Sequence, residues 1–188
     1  RMVNSIYYDT YFHKNFHEAI DGIMRRNKVR VRWYGKVFNT EIHPQIENKS
    51  RINQHNYKIT KKLKSFRSKS SFDLISFKKY IRGEKNSKGE INFYLNNLYP
   101  SLFVSYKRKY FVFGDIRITL DAGLKFINLA KTNFFSKKNF LSINKKKIIE
   151  LKYSDKFHFQ AKKVTKMFNN RLDKFSKYQI GFSETFYR

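Results

Sequence analysis

The stretch Lys28-Val29-Arg30-Val31-Arg32-Trp33-Tyr34-Gly35 constrains this chain more than any other. Its strict alternation has the two-residue period of a β-strand, so Lys28, Arg30, Arg32 and Tyr34 fall on one face and Val29, Val31 and Trp33 on the other. The apolar face demands a core. The other face holds guanidiniums about 7 Å apart along the strand, a spacing at which forked donors grip two neighbouring phosphates. An ordinary solvated strand also reads as charge over core, so recurrence elsewhere in the chain decides between the two readings.

The pattern recurs. Glu47 and Lys49 share a face of Gln45–Lys49, and Lys58, Thr60 and Lys62 share a face of Asn56–Lys62. Tyr106, Arg108 and Tyr110 alternate through Val104–Tyr110. Arg117, Thr119 and Asp121 stand opposite three aliphatics in Ile116–Asp121, and a turn at Gly114 pairs these last two runs. Ile148, Glu150 and Lys152 line one side of Lys147–Tyr153. An antiparallel sheet with such a face either shows it to water or closes so that the face lines a channel, and periodicity does not choose between them. A closed channel gathers Arg30, Arg32, Lys49, Lys58, Arg108, Arg117 and Lys152, with Glu47 and Glu150 as minority acids. That many cations in one interior require a multiply charged anion as counter-ion.

Composition agrees: 41 Lys+Arg stand against 14 Asp+Glu, a formal net charge of +27. Such an excess calls for a polyanionic partner, whether nucleic acid, polyphosphate or acidic lipid. Lys, Asn, Ile, Phe and Tyr all run high together, as AT-rich coding alone produces, so placement counts for more than total. With no cysteine there is no disulfide, thiolate metal site or cysteine nucleophile. No apolar run approaches the roughly 18 residues of a membrane-crossing helix, and a cytoplasmic location is expected.

Between the strands, Val3–Asp9 reads as a further β run. Thr10 can cap a packing helix carrying Phe12, Phe16 and Ile20, stopped by Gly22. Ser70 or Ser71 can cap a helix with Leu74, Ile75, Tyr80 and Ile81, and Glu90–Leu98 is expected to form another, ended by Pro100. A last helix is expected from about Gln160, with Val164, Met167, Phe168, Leu172 and Phe175 at helical spacing. The five histidines are scattered and suggest no shared metal site. No Pro/Gly/Ser-rich linker divides residues 1–188, so one domain is expected, an α+β fold.

Six blocks in order carry a resemblance. They are Ser5-Ile6-Tyr7-Tyr8-Asp9-Thr10, Lys28 to Gly35, Val104-Ser105-Tyr106-Lys107-Arg108, Arg117-Ile118-Thr119-Leu120-Asp121, Ile149-Glu150-Leu151-Lys152-Tyr153 and Lys174-Phe175-Ser176-Lys177-Tyr178. Together the chain resembles the VTC domain, the polyphosphate polymerase domain of the vacuolar transporter chaperone complex. The resemblance implies the CYTH-like, triphosphate tunnel metalloenzyme fold, an antiparallel β-barrel with a basic interior flanked by several helices. It implies transfer of the γ-phosphoryl group of ATP to a growing polyphosphate chain, with Mn²⁺ or Mg²⁺. By position, Arg30, Arg32, Tyr106, Arg108 and Arg117 resemble phosphate contacts, and Lys49 and Lys58 the basic positions of the intervening strands. Glu150 resembles the metal-binding carboxylate, and Lys174, Ser176 and Lys177 the block that closes on the phosphates. Family members usually carry a helix and a first strand upstream of the Tyr7-Tyr8-Asp9-Thr10 block. The chain starts at Arg1 with neither, so a first strand and helix are expected to be missing.

Three functional classes follow: the polymerase, a triphosphate hydrolase of the same fold, and a non-catalytic protein that binds polyphosphate or, through non-specific charge, nucleic acid. Product analysis separates the first two. Competition between short polyphosphate and nucleic acid separates the third.

Overall fold

The computed structural model describes residues 1–53, 55–83, 95–143, 147–168, 173 and 175–186. Its centre is an eight-stranded antiparallel sheet. In chain order the sheet strands are β1 (Met2–Asp9), β2 (Arg26–Tyr34), β4 (Gln45–Ile52), β5 (His55–Lys62), β8 (Tyr99–Phe113), β9 (Ile116–Asn128), β11 (Leu141–Ile143) and β12 (Ile148–Lys152). Spatially the order is β9-β8-β1-β2-β4-β5, with β11 and β12 sharing the outer edge of β9. Short pairs, β3 (Thr40–Ile42) with β6 (Phe66–Ser68) and β7 (Phe72–Asp73) with β10 (Phe134–Phe135), lie off the sheet. Among the described residues four α-helices accompany them: α1 (Lys14–Ile20), α2 (Leu74–Gly83), α3 (His158–Lys166) and α4 (Lys177–Phe186). None of the described helices is long and apolar enough to cross a membrane.

One face of the sheet buries the apolar side of the alternation. Val29, Val31 and Trp33 of β2 join Ile6, Tyr8, Ile46, Phe103 and Ile127 in a core closed by α2 through Leu74, Phe77 and Ile81. Trp33 lies at the middle, its ring stacked on Phe72 at 5.5 Å. On the opposite face a second core fills one end only. Tyr7, Val104, Leu124 and Phe126 meet Phe16 of α1 and Tyr178 and Phe182 of α4 there, and the other end is left to charge. A third, small cluster packs Ala161 and Val164 of α3 on Ile116.

A bulge organises the charged end. The β8–β9 register slips between Ser105 and Lys107, and Gly123 takes φ +64° where β9 absorbs the extra residue. The slip changes the parity of β9, so Leu124 and Asp121, three residues apart, face the same way. Beyond the bulge Asp121 pairs with Arg108 and Thr119 with Tyr110.

Several expectations are corrected. The sheet does not close into a barrel, because β5 and β12 remain unpaired edges on opposite sides of it. Both edges carry cations on the shared face, and Lys49 and Lys152 repel across the gap. Seven of the eight β5 residues are exposed, so no apolar seam draws the edges together. Asp73, not Ser70 or Ser71, caps α2: its Oδ1 accepts from the Ile75 amide at 2.9 Å and its Oδ2 from the Ser76 hydroxyl at 2.5 Å. Asp9 shares the capping of α1 with Thr10, accepting from the Asn15 and Phe16 amides at 2.9 and 3.0 Å. Of the expected apolar stripe on α1 only Phe16 is buried; Phe12 and Ile20 are exposed. Met167 is exposed just beyond α3. The expected helix over Glu90–Leu98 lies largely outside the described residues, as does Leu172.

Candidate functional site

Cross-strand partners in an antiparallel sheet point to the same side, so register alone assembles the site. Arg30 stands between Tyr7 and Glu47, Lys28 beside Lys49, Lys49 beside Lys58, and Arg32 beside Ser5. Arg108 faces Asp121, Thr119 faces Glu150, and Arg117 faces Lys152. With Lys177 from α4, whose ammonium is 2.8 Å from Asp121, one face collects at least nine cations (Lys28, Arg30, Arg32, Lys49, Lys58, Arg108, Arg117, Lys152, Lys177) around three carboxylates (Glu47, Asp121, Glu150).

Glu47 is one hub. Arg30 places Nε and Nη2 at 2.6 and 2.5 Å from its Oε2, and Arg32 Nη1 stands 3.6 Å from the same oxygen. Lys58 donates to Oε1 at 2.9 Å. Burial would raise the Glu47 carboxyl, but these cations outweigh it and bring it down to about 2. Arg30 also donates to the Tyr7 hydroxyl at 3.0 Å. Burial pushes Tyr7 up, yet Arg30, Arg32 and Lys28 together lower it to about 8. Arg32 is steadied from its other edge by the Ser5 hydroxyl at 3.2 Å.

Asp121 is the second hub. Arg108 grips it with two parallel bonds, Nε to Oδ1 at 2.6 Å and Nη2 to Oδ2 at 2.7 Å. The Asp121 carboxylate has no exposed surface, and the bonds from Arg108 and Lys177 overcome burial to hold it below its ordinary range. Tyr106 lies beneath both cations: the Arg108 guanidinium sits 5.4 Å and the Lys177 ammonium 4.9 Å from its ring centre. Burial pushes the Tyr106 hydroxyl up to about 12, so it stays a neutral donor. Glu150 stands at the edge, 3.7 Å from Arg108 and 3.2 Å from Lys152. Lys152 and Arg108 keep it ionised against the opposing effect of burial.

α4 enters with its N-terminus foremost. The Ser176 hydroxyl accepts from the Gln179 amide at 3.4 Å, capping the helix, and from Lys28 Nζ at 3.1 Å. Tyr178 stacks on Tyr7 at 5.1 Å and donates to buried Asp9 at 2.5 Å, which fixes the helix against β1. Burial and neighbouring cations both lower Lys28 and Lys49, the signature of positive charge in excess of its counter-ions. Beside them a cavity of about 460 Å³ opens between β2, β4 and β5, lined by Arg26, Lys28, Lys49, Arg51 and Lys58 among others.

The expected site residues therefore largely converge. Arg30, Arg32, Lys49, Lys58, Tyr106, Arg108, Glu150, Ser176 and Lys177 meet on this face. Arg117 is on the same face, beside Lys152 at its outer end, exposed and without an ion pair among the described residues, and Lys174 falls outside the described residues. Lys28, Glu47 and Asp121, which alternation placed on the charged strand faces without a specific task, are also part of the site, and Tyr7, to which alternation assigned nothing, joins them. Among the described residues no group of three His, Cys, Asp or Glu side chains is arranged to hold a metal.

The family model of the VTC domain matches residues 1–186. The chain belongs to the VTC domain family. No curated protein sequence matches it. Among solved structures it is similar to a protein of Bacillus halodurans provisionally described as an adenylate cyclase, at 12% identity and a TM-score of 0.57. That likeness spans 97% of this chain and 82% of the other. It is a likeness of fold. In this VTC domain the basic residues lie on one face of an open sheet.

Proposed function

We propose that this VTC domain is a polyphosphate polymerase, moving the γ-phosphoryl group of ATP onto the end of a polyphosphate chain laid across the basic face. The observation that carries the reading is the imbalance on that face, at least nine cations around three carboxylates, with each carboxylate already held by guanidinium or ammonium groups. A linear polyanion supplies the missing counter-charge, one phosphate after another along the strands.

Phosphoryl transfer asks a protein chiefly for positioning and for neutralisation of charge on the equatorial oxygens. Glu47 and Asp121 act here as positioning residues, because they fix Arg30, Arg32 and Arg108 with their remaining donors directed across the face. Lys28, Lys49 and Lys177 supply point charge, and the N-terminus of α4 adds its partial positive charge. The terminal oxygen of the acceptor chain is already ionised at neutral pH, so no general base is needed. It forms the new bond to the γ-phosphorus while the bond from that phosphorus to the β–γ bridging oxygen breaks, and ADP leaves with the electron pair. Glu150, ionised and half-exposed, fits a divalent cation of the kind that takes one carboxylate from protein and its other oxygens from phosphates. Such an ion, if held there, would supply further neutralisation of the phosphate charge.

The test incubates the protein with ATP and Mn²⁺ and follows ADP and long-chain polyphosphate, beside Arg30→Ala/Arg32→Ala. Polymer from the wild type that is lost in the double variant supports the polymerase. Orthophosphate without polymer makes it a hydrolase. Binding of tripolyphosphate without turnover makes it a binding module, and absence of both overturns the assignment of the basic face.

A further inference from the structure

A second cavity lies outside the basic face. It measures about 940 Å³ and is enclosed by the Thr10–His13 turn after β1, the exposed side of α2, the start of β8 and the Leu129–Asn133 turn after β9. The α1/α4 core, with Tyr7 stacked on Tyr178, stands between it and the basic face. Its volume is that of a small-molecule site.

The lining has two chemistries. Aromatic rings are held out at the surface: Tyr11 is 74% exposed and Tyr99 47%, their centroids 6.5 Å apart and nearly perpendicular. Cations surround them, and among the described residues no carboxylate lines the cavity. Lys78 Nζ stands 5.1 Å from the centre of the Tyr99 ring. Lys78 and Arg82 repeat at i,i+4 on α2, a like-charge pair that destabilises the helix and leaves Lys78 lowered by burial and by Arg82. Lys131 of the Leu129–Asn133 turn also lines the cavity, its Nζ 5.7 Å from the centre of the Phe186 ring. His13 also lines the cavity; it is held at φ +54° and keeps a buried Nδ1 without a hydrogen-bond partner.

We propose that this cavity binds a mononucleotide, its base against Tyr11 and Tyr99 and its phosphate between Lys78, Arg82 and Lys131. Stacking on exposed aromatic rings is tolerant of base identity, and clustered cations without a carboxylate select the phosphate. Neither feature alone matches the lining: inorganic phosphate leaves the rings unused, and a neutral aromatic leaves the cations unrelieved. The site is independent of turnover on the basic face.

The experiment titrates the full chain with the fluorescent etheno derivative of AMP while saturating tripolyphosphate occupies the basic face. Saturable one-to-one binding is expected. It should weaken about tenfold or more in Lys78→Ala/Arg82→Ala and, separately, in Tyr99→Leu, both monitored by thermal melt, and AMP should compete far better than inorganic phosphate. Weaker binding of the probe to Arg30→Ala/Arg32→Ala, indifference to both sets of substitutions, or equal competition by phosphate and AMP would each overturn the proposal. None of these results bears on the polymerase reading, because the probe is followed with the basic face already filled.

Discussion

Replacing Glu47 with Gln separates the two jobs that this carboxylate does. The side chain is 1% exposed and holds Arg30, Arg32 and Lys58. Its fall from 4.5 to about 2 is worth about 3 kcal/mol at about 1.36 kcal/mol per pH unit. Lys58 is half-exposed, so its share is screened, and about 2–3 kcal/mol is the expected loss in Glu47→Gln. For a domain of this size that is a fall in Tm of about 5–10 °C. The sign with pH follows from the depressed folded value: the contribution is complete above the ordinary carboxylate range near 4.5 and is lost as the pH falls toward 2. The Tm of the wild type should therefore drop across that window, and the gap between it and Glu47→Gln should narrow.

The same substitution frees three cations on the basic face. Tripolyphosphate should bind Glu47→Gln about tenfold more tightly at low salt, the advantage shrinking as salt is raised. Saturating tripolyphosphate should restore much of the lost Tm, because a ligand that binds only the folded state stabilises it by mass action. Melts with and without tripolyphosphate, beside calorimetric titration, read both effects. An unchanged Tm would refute the claim that Glu47 is an energetic hub. A loss of affinity would show that holding Arg30 and Arg32 in place matters more to the anion than the charge Glu47 cancels.

Two further expectations concern Tyr7 and Gly181. One tyrosine should ionise near pH 8 in a spectrophotometric titration, and the step should vanish in Tyr7→Phe and move upward with tripolyphosphate bound; its folded value lies below the ordinary tyrosine value, so the phenolate adds stability that is full above pH 10 and lost as pH falls through about 8. Anion affinity should weaken as pH rises through that step in the wild type but not in Tyr7→Phe, and an identical profile in both would sink the assignment. A Cβ on Gly181 would lie 2.2 Å from Phe126 Cδ1 and 2.9 Å from Leu102 Cδ2, so Gly181→Ala should cost about 2–3 kcal/mol and weaken tripolyphosphate binding, because α4 carries Ser176 and Lys177 to the site; an unchanged melt would show that the helix shifts without cost.

The strands of the central sheet were legible because they obey the period of two. The apolar residues of β2 lie in the core and its basic residues on the site, as the alternation of Lys28 to Tyr34 requires. The helix ends were less so. Asp73 caps α2 from the last residue of a two-residue strand, and the nearby Ser70 and Ser71 offer an equally plausible hydroxyl; only the tertiary path of the chain decides between them. Met167 keeps helical spacing with Val164, yet α3 ends before it and leaves it in water, because Ala161 and Val164 alone reach Ile116. Asp121 shows a different limit. Alternation through Ile116–Asp121 puts it on the polar side of its strand, but its meeting with Lys177, 56 residues later in the chain, follows from the docking of α4, which no local pattern encodes.

Closure was beyond periodicity for a physical reason. Alternation states which residues share a face, but whether that face curls shut depends on what the two edge strands do when they meet. Here Lys58 stands on the β5 edge with Lys49 beside it on β4, Lys152 stands on the β12 edge, and Lys49 and Lys152 repel. That repulsion opposes closure, and a polyanion lying between the edges would convert it into shared attraction. The groups that oppose closure are then the ones that bind the phosphate chain, and they should draw together on it. Tripolyphosphate should slow amide exchange in β5 and β12 more than in β1, which is already paired on both sides; equal protection of all three would mean that the edges do not respond to the anion.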